Sequence, residues 1–197
     1  MNYILFFPAF TGTRLRFIFS VMKTPIENSY WVVPGKILAG EYPEKTDRES
    51  LRRRLKALIE AGITAVIDLT EKEERLMPYE EELHELSGGR VRRYSFPVKD
   101  FSIPDSPDDM KKIVSAMEEL THENGIVYIH CLGGIGRTGT AAGCYLAEKF
   151  RETGEERAGE KALSRLAELW QECPKSRYHP RSPQTREQID YIKNWKG

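Results

Sequence analysis

A cysteine and an arginine near the middle of the chain have the types and the spacing needed to handle a phosphate group. Five residues separate Cys131 from Arg137, and three of them are glycine. Glycine permits the backbone dihedrals with which successive N–H groups turn towards one anion, and a guanidinium matches two phosphoryl oxygens. These donors would lower the pKa of Cys131, and the thiolate is the nucleophilic form of cysteine. The segment therefore predicts an anion cradle with an attacking sulfur at its base.

The residues on either side predict the elements that hold this cradle. Gly125 to Ile129 is a short apolar run rich in β-branched residues, which is typical of a buried strand. Small residues after Thr138 favour a helix. The N-terminus of that helix would add unpaired N–H groups and a partial positive charge to the cradle.

Three other interpretations of the same residues compete with the phosphate cradle. Gly134 to Gly139 also fits the dinucleotide pattern G-x-G-x-x-G. That fold needs a further strand ending in an acidic residue roughly 20 residues on, whereas the polar run Arg151 to Arg157 follows instead. A Walker loop would need Lys-Ser/Thr after the glycines. A structural cysteine in a glycine-rich turn is the third interpretation, and we favour the cradle over all three.

At these residues the chain resembles the cysteine-dependent protein tyrosine and dual-specificity phosphatases, especially their small bacterial and archaeal members. Their signature is His-Cys, five residues, Arg and Ser/Thr, which stands here as His130-Cys131-(LGGIG)-Arg137-Thr138. The resemblance implies that Cys131 forms a cysteinyl-phosphate, that the Thr138 hydroxyl donates to its sulfur, and that His130 orients the loop and tunes the thiol. With Arg137, the implied phosphate-binding residues are Leu132, Gly133, Gly134, Ile135 and Gly136.

The chemistry also needs a general acid to protonate the leaving oxygen, and Asp100 is the candidate. It lies in the segment 96–104, which follows a predicted strand, is bracketed by prolines and is long enough to form a mobile lid. In the resembling family the acid sits on such a loop, commonly four residues before a proline, as Asp100 is before Pro104. Asp105 and Asp68 are weaker candidates, and a surface turn aspartate is the plain alternative.

Two glutamines near the C-terminus resemble the family's loop that positions the hydrolytic water. Gln184 and Gln188 fit its Gln-Thr-x-x-Gln pattern, although an ordinary capped helix start explains the same letters. The pattern favours the tyrosine-phosphatase-like members. Phosphoinositide phosphatases of the family tend to carry lysines in the phosphate loop, which is uncharged here between its cysteine and its arginine.

We therefore expect a phosphoprotein substrate, phosphotyrosine above all, with phosphoserine and phosphothreonine as further targets. The alternatives are a phosphoinositide or an RNA 5′-phosphate as substrate, or an inactive module that binds phosphoproteins. No metal or cofactor is expected, because Arg137 and the loop amides would supply the electrostatic stabilisation that a cation gives.

Composition limits the classes of partner. The 197 residues include 30 basic and 30 acidic side chains, a balance that gives no reason to expect nucleic acid or a membrane. Three cysteines without paired spacing argue against a disulfide framework or a zinc site. Cys144 is expected to be a buried small hydrophobe, with a redox partnership of Cys144 or Cys173 as the alternative. A catalytic thiol favours a reducing compartment, so we expect a cytoplasmic location. We also expect a monomer.

The pattern of strands and helices predicts a single α/β domain over residues 23–197, with a central, mostly parallel sheet of about four to five strands flanked by helices. It begins with a hairpin near residues 30–39, and a capping box at Thr46 starts the first helix. A final helix is predicted to be capped by Ser182-Pro183. Residues 1–22 are expected to be an extension before a physiological start at Met22, with a membrane-associating arm as the alternative.

Overall fold

The computed structural model describes residues 23–122 and 124–197, so the expectations for residues 1–22 lie outside it. The strands are β1 (Ser29–Val33), β2 (Ile37–Gly40), β3 (Ala65–Asp68), β4 (Arg92–Ser95) and β5 (Val127–His130). They form one sheet in the order β1-β2-β5-β3-β4. β1 and β2 pair antiparallel as the predicted hairpin, and the other neighbouring strands are parallel. The predicted α/β fold with a mostly parallel sheet is confirmed.

Helices cover both faces of this sheet. They are α1 (Arg48–Glu60), α2 (Glu80–Ser87), α3 (Pro107–His122), α4 (Arg137–Glu152), α5 (Ala158–Trp170) and α6 (Arg186–Asn194). Two short 3-10 turns, Lys72–Glu74 and Pro174–Arg177, were not predicted, and both reach the candidate site. Across residues 23–122 and 124–197, no helix has the length and apolar character that a bilayer crossing requires.

Two predicted helix caps were wrong. Asp47, one residue after Thr46, caps α1, because its carboxylate accepts hydrogen bonds from the amides of Glu49 and Ser50. Helix α6 is capped by Thr185 rather than by Ser182-Pro183. The Ser182 hydroxyl instead donates to the carbonyl oxygen of Ile135, 2.8 Å away in the phosphate loop.

The sheet separates two apolar layers, and strand alternation assigns side chains to each. Val127 and Ile129 of β5 pack into the layer formed with α3, α4, α5 and α6, whereas Tyr128 packs into the layer with α1 and α2. The parallel register brings Gly40, Asp68 and His130 side by side at the carboxyl ends of β2, β3 and β5. In open α/β sheets ligands bind beyond this edge, and the residue after His130 is the predicted nucleophile.

Candidate active site

The phosphate loop runs from the end of β5 to the start of α4. Cys131 follows the last residue of β5, and its Sγ accepts a hydrogen bond from the amide of Gly134 at 3.3 Å. The N-cap of α4 is Gly136, which has no side chain with which to bond the first-turn amides. The predicted cradle therefore has the expected order of strand, thiol, glycine loop and helix N-terminus, with one backbone donor already directed at the sulfur.

Gly134 is required by its surroundings. Its φ is +73°, a backbone conformation that residues with a side chain rarely adopt. A Cβ atom at this position would lie 2.5 Å from the carbonyl carbon of Gly40 and 2.7 Å from the amide nitrogen of Glu41. The loop therefore turns directly against the backbone at the end of β2.

Arg137, at the start of α4, is only 2% exposed, so nearby partners must stabilise its buried positive charge. Its Nη1 donates to the carbonyl oxygens of Leu69 at 3.3 Å and Val98 at 2.9 Å. Both Nη atoms also bond the Glu74 carboxylate, at 2.6 and 3.0 Å. Its Nε is buried without a hydrogen-bond partner among the described residues. The guanidinium is thus fixed through its Nη atoms while one donor stays available.

Glu74 is a site residue that the sequence reasoning missed. It closes the 3-10 turn Lys72–Glu74, and its Oε1 also accepts from the amide of Glu71 at 2.8 Å. Burial works to raise the pKa of Glu74, but the hydrogen bonds from Arg137 and Glu71 outweigh it and lower the pKa below its ordinary value. The available signal was a run of acidic residues directly after a buried strand, which by itself indicates only a solvated turn.

Asp100, the predicted acid, lies in the connection between β4 and α3. Its Oδ1 is 2.9 Å from Nη2 of Arg137, and its side chain is 43% exposed. The same oxygen accepts from the amide of Phe101 at 3.0 Å. The structure thus brings this carboxylate to the arginine of the cradle while leaving it open to solvent.

His130 has the partners that the sequence could not identify. It is fully buried, and its Nε2 lies 2.7 Å from the Tyr79 hydroxyl. Its Nδ1 lies 3.3 Å from the carbonyl oxygen of Cys131 and 3.8 Å from Oδ1 of Asp68. Burial lowers the pKa of His130 below its ordinary value, against the opposing charge of Asp68. A neutral imidazole held in this way can fix the end of β5 and orient the thiol that follows it.

Asp68, a weaker candidate for the acid, is committed to the same network. Its carboxylate accepts from the amide and hydroxyl of Thr70 at 2.8 and 2.6 Å. Its other oxygen accepts from Arg93 Nε at 3.0 Å. Asp68 is also buried, at 1% exposed, which favours the more exposed Asp100 as the proton donor.

Thr138 differs from the expectation for its hydroxyl. The side chain is buried, and Oγ1 makes a weak hydrogen bond to the carbonyl oxygen of Gly40 at 3.5 Å. Among the described contacts, the sulfur of Cys131 accepts from Gly134 instead. The structure therefore brings Thr138 to the base of the loop with its hydroxyl bonded to β2.

The two glutamines divide into an exposed one and a buried one. Gln188 completes the capping box of α6, since its Oε1 accepts from the amides of Gln184 and Thr185 at 3.1 Å each. Its Nε2 donates to the carbonyl oxygen of Ser102 at 2.9 Å, which joins α6 to the loop that carries the predicted acid. Gln184 is exposed, and a Cβ atom on Gly136 would lie 3.2 Å from its Oε1. Gln184 therefore remains the candidate for contact with water, and Gln188 positions the loop.

The described residues hold no group of three or more His, Cys, Asp or Glu side chains arranged to bind a metal ion. The positive charge in the site comes from Arg137, and the amides of the loop and of α4 supply further donors. This combination of a thiol, backbone amides, a fixed guanidinium and an exposed carboxylate can transfer a phosphoryl group to sulfur and then to water.

Comparison with known proteins identifies the family. A family model described as "PTP-SAK: Swiss Army Knife protein, DSP-PTPase phosphatase domain" matches residues 26–186. The chain belongs to this DSP-PTPase family. The phosphatase is 36% identical over 62 residues, 31% of its chain, to the dual specificity protein phosphatase CDC14B of Mus musculus. It is 29% identical over 119 residues, 58% of its chain, to the putative tyrosine phosphatase 067L of Invertebrate iridescent virus 3.

These matches cover 13% and 44% of the two relatives, so the phosphatase spans less than half the length of either. A crystal structure of Tk-PTP in its active form is similar along nearly its whole length. It shares 26% identity and a TM-score of 0.62, with 85% of the phosphatase and 95% of Tk-PTP covered. The predicted family and fold are confirmed, and residues 26–186 form a phosphatase domain of this family.

Proposed function

We propose that the phosphatase hydrolyses phosphotyrosine on proteins, and phosphoserine and phosphothreonine more slowly, through a cysteinyl-phosphate intermediate. The observation that carries this proposal is the Nε donor of the buried Arg137 side chain, unpaired within the part of the chain that the structure describes. Its guanidinium is buried and fixed through both Nη atoms, yet its Nε has no partner among the described residues. A buried donor left unpaired costs about 1–3 kcal/mol, and an oxygen of a phosphoryl group at the loop would satisfy it.

The reaction follows as two displacements at phosphorus. In the first, Sγ of Cys131 forms the S–P bond, the P–O bond to the substrate breaks, and Asp100 gives its proton to the leaving oxygen. In the second, Asp100 takes a proton from water, the water oxygen bonds to phosphorus, and the S–P bond breaks to release phosphate and the thiolate. Arg137 and the loop amides stabilise the charge on the equatorial oxygens in both steps.

The neighbourhood of the loop supports a substrate with a single phosphate. The side chains between Cys131 and Arg137 carry no charge. Beside the residues that hold Arg137 lies a groove of about 780 Å³. Its walls include the acidic side chains of Glu71, Glu73 and Glu80 and the cations Lys72 and Arg93, and Arg93 is already bonded to two carboxylates. Because carboxylates outnumber cations on its walls, such a groove offers room for a polypeptide and little attraction for additional phosphates.

A single panel of substrates tests the proposal. Purified enzyme would be assayed at one pH and ionic strength on phosphotyrosine, phosphoserine and phosphothreonine peptides, on phosphoinositides and on RNA 5′-phosphate, with Cys131→Ser as the inactive control. We expect kcat/KM to be highest on the phosphotyrosine peptides. A higher value on a phosphoinositide or on RNA would establish the non-protein alternative. Binding of phosphopeptides without turnover would identify a phospho-binding module.

A further inference from the structure

Lys175 lies behind the phosphate loop, on the side opposite the thiol. It belongs to the 3-10 turn Pro174–Arg177, and its Nζ donates to the carbonyl oxygen of Gly133 at 2.8 Å. The same Nζ lies 2.6 Å from Oε2 of Glu41. The two displacement steps assign no role to this contact. It joins a turn after α5 to a loop 42 residues earlier in the chain.

The geometry of one peptide group links Lys175 to the sulfur. The carbonyl of Gly133 and the amide of Gly134 belong to the same trans planar unit, so they point in opposite directions. The carbonyl oxygen accepts from Lys175, and the amide nitrogen lies 3.3 Å from Sγ of Cys131. The bond that holds the carbonyl outward therefore directs the amide hydrogen at the sulfur.

This peptide group needs an external constraint because it joins two glycines. Glycine allows rotations of the backbone that other residues resist. A Cβ atom on Gly133 would meet nothing closer than 3.9 Å, so packing on the Gly133 side does not restrict the rotation, whereas Gly134 itself packs against the backbone of Gly40. After rotation the carbonyl oxygen, instead of the N–H, would face the thiolate and the incoming phosphate, and it would repel both.

Glu41 holds Lys175 in place. Its carboxylate, 13% exposed, also accepts from Asn28 Nδ2 and Arg54 Nη2, each at 3.0 Å. Burial works to raise the pKa of Glu41, but the hydrogen bonds from Lys175 and Asn28 and the charges of Lys175 and Arg54 lower it below its ordinary value. A fixed negative charge therefore anchors the lysine at the point where the loop packs against the end of β2.

We propose that Lys175, held by Glu41, is a positioning residue that keeps the peptide group between Gly133 and Gly134 turned with its N–H towards Sγ of Cys131. The inference rests on the proposed cysteinyl-phosphate mechanism and adds a determinant of the loop conformation to it. Loss of the lysine amine leaves the loop sequence intact but permits the inverted peptide group. The inverted peptide group would stabilise the transition state less well, because the amide donors act mainly on the charge that develops there.

The test compares Lys175→Met with Lys36→Met. Methionine keeps an unbranched side chain and removes the donor. Lys36 makes the same kind of bond, from Nζ to the carbonyl oxygen of Thr121 at 3.2 Å, in a part of the structure away from the loop. We expect K175M to lower kcat on a phosphotyrosine peptide by about tenfold or more and to weaken inhibition by vanadate to a similar degree. KM should change much less, and K36M should stay within about twofold of wild type.

Two further measurements separate positioning from folding. Lys175→Arg keeps a donor and should recover most of kcat. The second measurement is the rate at which iodoacetate alkylates Cys131, with the modified residue located by peptide mass mapping. Alkylation should be slower in K175M than in wild type or K175R. Lys175→Gln replaces K175M if thermal unfolding shows that K175M does not fold. Wild-type kcat, vanadate inhibition and alkylation in the folded variant would overturn the inference. A wild-type enzyme inactive on every phosphomonoester would instead overturn the proposed function.

Discussion

Glu74 and Arg137 form a two-pronged ion pair, with Oε1 2.6 Å from Nη1 and Oε2 3.0 Å from Nη2. The pair spans 63 residues of sequence and joins the 3-10 turn after β3 to the first residue of α4. Because the arginine is buried, its orientation depends on this carboxylate, on two backbone carbonyls and on the half-exposed carboxylate of Asp100. The position of the phosphate-binding charge is therefore set by a residue that would not itself contact the substrate.

Glu74→Ala should damage both activity and stability. Without Glu74 the buried guanidinium keeps only the half-exposed Asp100 as a charged partner among the described residues, and breaking a buried pair costs about 3 kcal/mol or more. We expect kcat/KM to fall by about 100-fold on a phosphotyrosine peptide, because a misplaced guanidinium stabilises the transition state poorly. Steady-state kinetics and urea unfolding measure the two effects.

Glu73→Gln is the matched control for that variant, since Glu73 is the exposed neighbour in the same turn. It should leave stability within about 0.5 kcal/mol of wild type. Wild-type kinetics in the Glu74→Ala variant would show that Arg137 holds its position without the carboxylate.

Asp100→Asn should lower kcat by about 100-fold or more on substrates with poor leaving groups, because the leaving oxygen would depart unprotonated. Aryl phosphates whose phenols are acidic need less protonation, so they should lose much less. A series of aryl phosphates measured against the pKa of the leaving phenol reports this dependence. Asp105→Asn serves as the control, and an equal loss across the series would assign the proton transfer to another group.

The burial of His130 predicts a pH dependence of stability. Its pKa in the folded protein lies below its ordinary value of 6.5, so between these two values the unfolded chain binds a proton that the folded chain does not. The free energy of unfolding should therefore fall as the pH drops from about 6.5 towards 5. Carboxylates with lowered pKa values, among them Glu41, Glu74 and Asp68 beside His130, reduce the stability further only below about pH 4.5.

Urea unfolding at pH 5, 6 and 7 tests this dependence. In His130→Gln the slope between pH 5 and 6.5 should be smaller than in wild type, whatever the absolute stability of the variant. His179 is exposed, and His179→Gln should keep the wild-type slope. An unchanged slope in His130→Gln would mean that the imidazole titrates equally in both states.

Gly134→Ala should inactivate the enzyme by displacing the phosphate loop. The new Cβ would overlap the backbone at Gly40 in addition to straining a positive φ. Gly154→Ala isolates the strain, because φ there is +81° and nothing lies within 4 Å of the added atom. We expect Gly154→Ala to cost about 1 kcal/mol in thermal or urea unfolding with normal kcat. Comparable activity in the two variants would contradict the close contact at Gly40.

The sequence predicted the parts of the site that are local. Cys131, its glycine loop and Arg137 lie on one continuous segment, so their spacing alone indicated the cradle, and the order of strand and helix around them followed from hydrophobic patterning. Asp100 was proposed from its place in a loop bracketed by prolines and from the family's spacing of four residues before a proline. It stays a prediction as the acid, and the structure brings it 2.9 Å from Arg137.

The parts that the sequence missed depend on distant contacts. Glu74 and Lys175 reach the loop from 63 and 42 residues away, and each looks like an ordinary surface charge in a polar turn. Tyr79 was not singled out, and Asp68 was considered only as a weaker candidate for the acid, although the fold places both beside His130. The cap of α1 at Asp47 was misplaced because Thr46 fits the same local pattern, and only backbone geometry distinguishes them.

The hydrogen bond from Gln188 to the carbonyl oxygen of Ser102 couples any movement of the loop 96–104 to helix α6. Residues 96–104 cannot swing outward without either giving up that bond or drawing the first turn of α6 along. If departure of phosphate awaits this swing, turnover would be paced in part by a helix that takes no share in breaking the ester. Substitutions along its outer surface would then alter how long product stays bound while leaving the chemistry itself untouched.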